Sequence, residues 1–338
     1  MKKKLSTTKK VLIGILLVFV LIISLLVFAF NHFSSKVERV EIDRSAVIAT
    51  GKEPAKEDED VITIALFGTD FTENEQYGNL YGAADATMIL GIDTKNNRLK
   101  LFSFMRDLYL DLPDGSGDKQ NLNYTIAYGG PELILKTINY NFDLDLTRYV
   151  AFNFEGVQHV IDAMGGIELE IKEYEVPYIS NVSKSGYQHL SGEQALAYMR
   201  VRYADSDYVR MDRQTTVMKA MFSKLTTLGY TELLSLLNDC LPYVETNLTK
   251  DEILSLGMQA LKVDLGNIQT YQVPRGGYED INHTVSYNGY SPLYVMNSYQ
   301  DMEKDLHQNI YGDNNYETSS TVKDTEAKIY EKFGYVEK

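Results

Sequence analysis

VITIALFGTD (residues 61–70), AADATMILGID (83–93) and LKLFSFMRD (99–107) decide how this chain folds. All three are rich in β-branched and aromatic residues and are bounded by Gly, Asn and Asp, so they read as strands of one sheet. The turn at Lys95-Asn96-Asn97 joins the second to the third as a hairpin, which makes the sheet at least partly antiparallel. At or near the strand ends stand Asp70, Asp85 and the pair Arg106-Asp107. A rigid sheet can aim such groups at one point. Two carboxylates and a guanidinium suit a divalent cation holding a phosphate. The same aspartates also read as ordinary turn residues, and the stretch alone leaves both readings open.

The flanking chain supplies helices. Val157, Val160, Ile161 and Met164 recur at helical spacing, and Gly165-Gly166 closes that helix before the alternating strand GIELEIK. Ser191 and Gln194 form a capping box that starts a helix delivering Arg200 and Arg202 at its far end. In the next helix Arg210, Arg213 and Gln214 fall on one face near the N-terminus, where free N–H groups attract anions. They read as a phosphate site or as partners for nearby acids. The expected fold is a mixed α/β domain over 61–310, its partly antiparallel central sheet flanked by helices. A polar tail is expected over 311–338.

Residues 11–30 carry no charge and follow a basic segment, 1–10. Twenty helical residues reach ~30 Å, the thickness of a bilayer's hydrocarbon core. With lysines before it, this segment is predicted to cross the membrane once, leaving the N-terminus cytoplasmic and the domain outside. Residues 31–60 read as a linker in which VERVEI could add an edge strand.

The 338 residues carry a formal net charge of −14, and all 47 acids but only 28 of the 33 basic residues lie beyond residue 30. Such a surface argues against nucleic acid. The single cysteine, Cys240, excludes an internal disulfide framework and reads as a small buried hydrophobe. The five histidines lack metal-ligand spacing, and neither a Gly-x-Ser-x-Gly elbow nor a Walker or Gly-x-Gly-x-x-Gly loop occurs.

In order along the chain, Phe67-Gly68-Thr69-Asp70, AADATMILGID, SFMRDLYLDLP, AYGGPELILKTI, YVAFNFEGVQHVIDAMGGIELEI, HLSGEQALAYMRVRY and RMDRQ resemble the LytR-CpsA-Psr enzymes of Gram-positive bacteria. The resemblance spans roughly residues 62–225. It implies a membrane-anchored enzyme of the cell envelope. Such an enzyme transfers a phosphate-linked glycopolymer, of teichoic acid or capsule type, from undecaprenyl pyrophosphate to peptidoglycan. It further implies that Asp70 and Asp85 bind Mg²⁺ and that Arg106, Arg200, Arg202 and Arg210 bind phosphate beside Gln214. Among these Arg106, Arg202 and Arg210 are expected to be catalytic, with Asp107, Arg213, Lys119 and Asn123 adding substrate contacts.

Two positions depart from the family pattern. Ala83 stands where an arginine is usual, and Asn121 where a lysine is usual two residues ahead of Asn123, although Lys119 is close. A slower or differently specific transferase, a lipid-pyrophosphate-binding or regulatory relative, and a polyprenyl pyrophosphate phosphatase all remain compatible. A polyprenyl chain cannot lie exposed in water. An apolar groove is therefore expected to open at the arginines, walled by helices around 157–164 and 217–225.

Overall fold

The computed structural model describes residues 38–48, 60–74, 79–113, 121–201, 206–229, 231–232, 235–236, 239, 241–260, 262–264, 267–287 and 290–335. The predicted membrane segment, Lys119, Arg202 and Cys240 lie outside the described residues, as does the Asp70 side chain. Among the described residues no helix is long and apolar enough to cross a membrane.

The three quoted stretches form the middle of a seven-stranded mixed sheet. β2 (Val61–Asn74) pairs antiparallel with β3 (Asn79–Asp93), which pairs antiparallel with β4 (Arg98–Phe104) across the expected hairpin. β5 (Tyr149–Phe152) lies parallel to β2, and β9 (Ile268–Val273) parallel to β4. β8 (Val244–Thr246) and the short β1 (Glu38–Arg39) complete one edge. The alternation of β2 sorts its side chains. Ile64 and Leu66 join Met88, Leu99 and Leu101 on one face, whereas Ala65 and Phe67 join Ile89 and Phe102 on the other.

The first face is covered by α4 (Asp207–Leu225) and α5 (Lys250–Ala260), through Met218, Phe222 and Leu256. The second is covered by α1 (Leu122–Phe142), the hairpin of β10 (Ile281–Tyr287) and β11 (Tyr290–Met296), and α6 (Tyr299–Tyr311). α1 bends at Gly129-Gly130, and Pro131 starts its second half. α2 (Phe154–Ala163), α3 (Gly192–Met199) and the hairpin of β6 (Ile167–Ile171) and β7 (Gly186–Leu190) build a smaller core against α4.

Both expected domain limits move outward. Within the span read as a linker, the edge strand expected from VERVEI forms as β1, parallel to β8, and beyond it Val47 and Ile48 are buried. Arg44 grips Glu252 at 2.7 and 2.8 Å, a carboxylate that Arg148 also holds at 2.9 Å. The span read as a polar tail contains α7 (Ser320–Phe333), which buries Val322 and Ile329 in the main core. Its inward stripe of Val322, Glu326, Ile329 and Phe333 is interrupted by an acid, which hid the helical pattern. Glu326 has its own task there: its carboxylate accepts the Tyr299 and Gln300 N–H groups at the start of α6.

Candidate active site

The site lies beside an irregular part of the β2–β3 ladder, just beyond the end of β4 and against the N-terminus of α4. The register of β2 and β3 slips between Gly68–Ala86 and Thr69–Ala84, so Asp85 is the extra residue of a β-bulge. Bulges re-aim side chains, and this one turns Asp85 into the cleft. Gly68 opposite permits the close approach, because a Cβ there would sit 3.1 Å from the Ala86 Cβ. Asp70 lies in β2 between Thr69, paired with Ala84, and Phe71, paired with Tyr81.

Arg106, just beyond β4, is the hub. Its guanidinium meets Asp85 Oδ1 at 2.8 Å and Asp107 Oδ2 at 3.1 Å, with Asp207 Oδ1 at 3.7 Å. Burial works against its charge, yet Asp107, Asp207 and Asp85 together raise its pKa above the usual arginine value. Burial also pushes the Asp107 carboxyl up to about 6, opposed by Arg106 and reinforced by Asp207. Asn123 is buried and supports this hub from behind. Its backbone N–H donates to the Arg106 carbonyl at 2.9 Å, and its side chain accepts from Asn121 Nδ2 at 2.6 Å. Asn123 thus shapes the backbone under the guanidinium, and Asn121 is spent on holding Asn123.

From α4, buried Arg210 pairs with Asp207 at 3.3 Å, and Gln214, one turn on, donates to the Asp85 carbonyl at 3.3 Å. Arg213 does not join them. Both it and Glu175 are about 1% exposed, and they form an ion pair at 2.7 Å, with a further bond from Arg213 to the Val201 carbonyl at 3.2 Å. The spacing that put it beside Arg210 could not reveal that the 173–189 segment sends an acid to meet it. Its place is structural, so the expectation of a substrate contact is corrected.

Arg200 caps α3, and its guanidinium lies over the Phe154 ring, 4.1 Å from the centroid. The predicted Ser191–Gln194 capping box is present, and Gly192 lets the helix start against α2, where a Cβ would run into the Gln158 carbonyl. Two contributors lay outside the sequence expectations. One is Asp207, and its position three before Arg210 is the sequence signal for it. Tyr294 arrives from β11, its phenol pKa raised by burial, by Tyr278 and by Asp207 and Asp107.

Behind these groups lies a cavity of about 320 Å³. Asp85, Arg200, Arg210 and Gln214 form its polar part. Val157 of α2, Val217, Met218 and Met221 of α4, and Met88 and Phe152 of the sheet are apolar wall. The expected helices therefore do line an apolar space that opens at arginines.

A cleft with guanidinium and carboxylate groups at the mouth of an apolar cavity matches the chemistry of an amphiphile with an anionic head. The sequence matches the LytR_cpsA_psr family over residues 26–305, and the chain belongs to that family. Among its relatives is the polyisoprenyl-teichoic acid–peptidoglycan teichoic acid transferase TagU of Bacillus cereus strain AH820. It is 30% identical over 292 residues, which cover 80% of this chain and 89% of TagU. The TagU of Enterococcus faecalis is 28% identical over 70% of this chain and 75% of its own length. The fold is shared with Bacillus subtilis TagT, at a TM-score of 0.60 and 23% identity over 81% of this chain and all of TagT. It is shared too with TagT carrying bound octaprenyl pyrophosphate lipid, at a TM-score of 0.58 and 22% identity, covering 81% and 99% of the two chains.

Proposed function

We propose that this chain is a transferase, anchored by residues 11–30 outside the cell membrane, that moves a phosphate-linked glycopolymer from a polyprenyl pyrophosphate carrier to peptidoglycan. The observation that carries the reading is the apolar cavity ending at Asp85, Arg200, Arg210 and Gln214. It offers part of the prenyl chain a dry wall and the pyrophosphate a set of cationic donors. TagU relatives named for polyisoprenyl-linked teichoic acid transfer point the same way.

In the reaction a peptidoglycan hydroxyl attacks the phosphorus that carries the glycopolymer. The new O–P bond forms as the bond to the bridging pyrophosphate oxygen breaks, and polyprenyl phosphate leaves with its electron pair. The hydroxyl proton passes to a base. Arg106, Arg200, Arg202 and Arg210 are assigned to the growing charge on the phosphoryl and leaving oxygens, the main demand of such a transfer. Asp107 holds the Arg106 fork in place through Nε.

The donors fit Mg²⁺. Asp85, Asp107 and Asp207 gather around one guanidinium, and the raised Asp107 pKa reflects burial with a second carboxylate beside it. Hard oxygens with surplus negative charge suit that ion. Asp85 together with Asp70 would hold it, and its chemistry there would be charge neutralisation on the pyrophosphate.

Ala83 and Asn121 favour a second reading, a lipid-pyrophosphate-binding relative with little turnover, because each removes a positive charge usual in the family. Mass spectrometry of transfer from a lipid-pyrophosphate-linked saccharide to a peptidoglycan fragment separates the two, run with and without Mg²⁺ and with a water-only control for phosphatase activity. Slow Mg²⁺-dependent transfer is expected, lost in Arg106→Ala and unchanged or faster in Ala83→Arg. Tight lipid binding without product from any acceptor would refute the transferase.

A further inference from the structure

A second cluster lies apart from the arginines. Asp143 ends α1 in a left-handed conformation (φ 53°), which brings its carboxylate to α6. On α6, Glu303 and His307 stand one turn apart on the same face. One ligand atom from each of the three lies within 4.8 Å of the others. Asp143 and Glu303 are buried, Glu303 completely, and His307 is 9% exposed.

The polar bookkeeping around Glu303 does not close within the protein. Its Oε1 accepts from the Tyr316 hydroxyl at 2.8 Å and from the Ser319 N–H at 3.2 Å. Its Oε2 is buried and has no hydrogen-bond partner. The Tyr316 hydroxyl also meets Asp143 Oδ2, yet it carries one proton for two carboxylates. A buried carboxylate needs a counter-charge or a proton. The imidazole points to the former. His307 Nε2 lies 3.2 Å from the Asp143 carbonyl and its ring stacks on Tyr316 at 3.5 Å, an orientation fixed by backbone and packing as in metal-bound histidines.

We propose that Asp143, Glu303 and His307 bind one divalent transition-metal ion, Zn²⁺ or Mn²⁺, that fastens the C-terminal helices to the domain. Two carboxylates and an imidazole suit such an ion better than Mg²⁺, which prefers an all-oxygen octahedron. Donors around one zinc lie roughly 3.3 Å apart, so binding draws these three together by at most ~1.5 Å, within reach of side-chain rotation. The ion would join the end of α1, the middle of α6 and the Tyr316–Ser319 segment that leads into α7. None of these groups lines the arginine cavity, and the site stands independently of the proposed transfer reaction.

The test is isothermal titration of the full-length, EDTA-treated protein with ZnCl₂ and MnCl₂ in excess Mg²⁺, alongside melting curves. One equivalent of Zn²⁺ or Mn²⁺ is expected to bind and raise the melting temperature. The Asp70→Ala, Asp85→Ala double variant should keep that response. His307→Ala and Glu303→Gln should weaken binding at least ~100-fold, since even losing an outer-shell partner costs 10–100-fold. Glu303→Gln should also melt no lower than wild type without metal, because it removes a buried charge while keeping its shape; this separates lost ligation from lost folding. Absence of a tight equivalent in wild type, undiminished binding in both single variants, or loss of the response in the Asp70/Asp85 variant would overturn the proposal. In the first case the cluster holds a shared proton.

Discussion

Asp107→Asn is expected to make the protein more stable and less active. The Asp107 carboxyl rises from 3.8 to about 6 on folding, because it is buried and has Asp207 beside it, with Arg106 compensating only in part. Between these values the folded state keeps a proton that the unfolded state has released, so stability falls as pH rises through that window. Below pH 3.8 the cost is absent, and above 6 it is fully present. The shift corresponds to ~2–3 kcal/mol. Asparagine mimics the protonated form without titrating. Urea unfolding at pH values from 4 to 7.5 reads the difference. Far-UV circular dichroism and tyrosine fluorescence are the probes, since the chain has 25 tyrosines and no tryptophan. The variant should lack the wild-type decline and gain ~2–3 kcal/mol on wild type across that range. Transfer activity should fall on the order of 10²-fold, since Arg106 loses the carboxylate that orients its Nε. Parallel stability–pH curves for the two proteins would refute the assignment of a destabilising charge to Asp107.

Arg213→Ala strands the Glu175 carboxylate in a dry site, and a loss of ~3–5 kcal/mol in unfolding free energy is expected. The paired change Arg213→Met, Glu175→Leu should recover most of it, and a failure to do so would point to a role beyond the ion pair. Met221→Trp narrows the cavity from the α4 side and should weaken octaprenyl pyrophosphate binding while leaving inorganic pyrophosphate unaffected in titration calorimetry. Equal loss of both ligands would disconnect the cavity from the lipid. The Asp70→Ala, Asp85→Ala double variant should lose Mg²⁺-dependent pyrophosphate binding, and unchanged affinity for both ligands would remove these residues from the metal site.

What the sequence disclosed follows from the range of its signals. The strands of residues 61–107 were legible because their alternation and turn chemistry are local, as were the Ser191–Gln194 cap and the α2 stripe. Arg106, Arg210 and Gln214 were legible as chemistry, and the structure brings them to Asp85. The Asp85 bulge was not, because a register slip depends on two strands at once. Arg213 looked like Arg210, and only the distant Glu175 distinguishes them. The edge strand in VERVEI was legible, whereas the burial of Val47 and Ile48 and the helix in the tail were not, for a related reason. Polar composition describes a segment, whereas Arg44–Glu252 and Glu326–Tyr299 are contacts across 208 and 27 residues.

The arrangement around Arg106 also explains how so many arginines persist in a cleft of a strongly acidic protein. Guanidinium groups this buried cost several kcal/mol each unless compensated. Here the compensation comes from Asp85, Asp107 and Asp207, and it is imperfect, since Asp107 is left with a raised pKa. In the proposed reaction a pyrophosphate would have to compete with these carboxylates for the same donors. A bound Mg²⁺ would change that competition by drawing Asp85 toward itself, freeing one arm of Arg106 for an anionic ligand. Metal and pyrophosphate would then favour each other's binding, as linkage requires of ligands that relieve opposite halves of one ion-pair cluster. Ala83 and Asn121 fit the same logic. With fewer cations around the cleft, its resting charge is more negative, and the proposed transfer would lean more heavily on a bound cation.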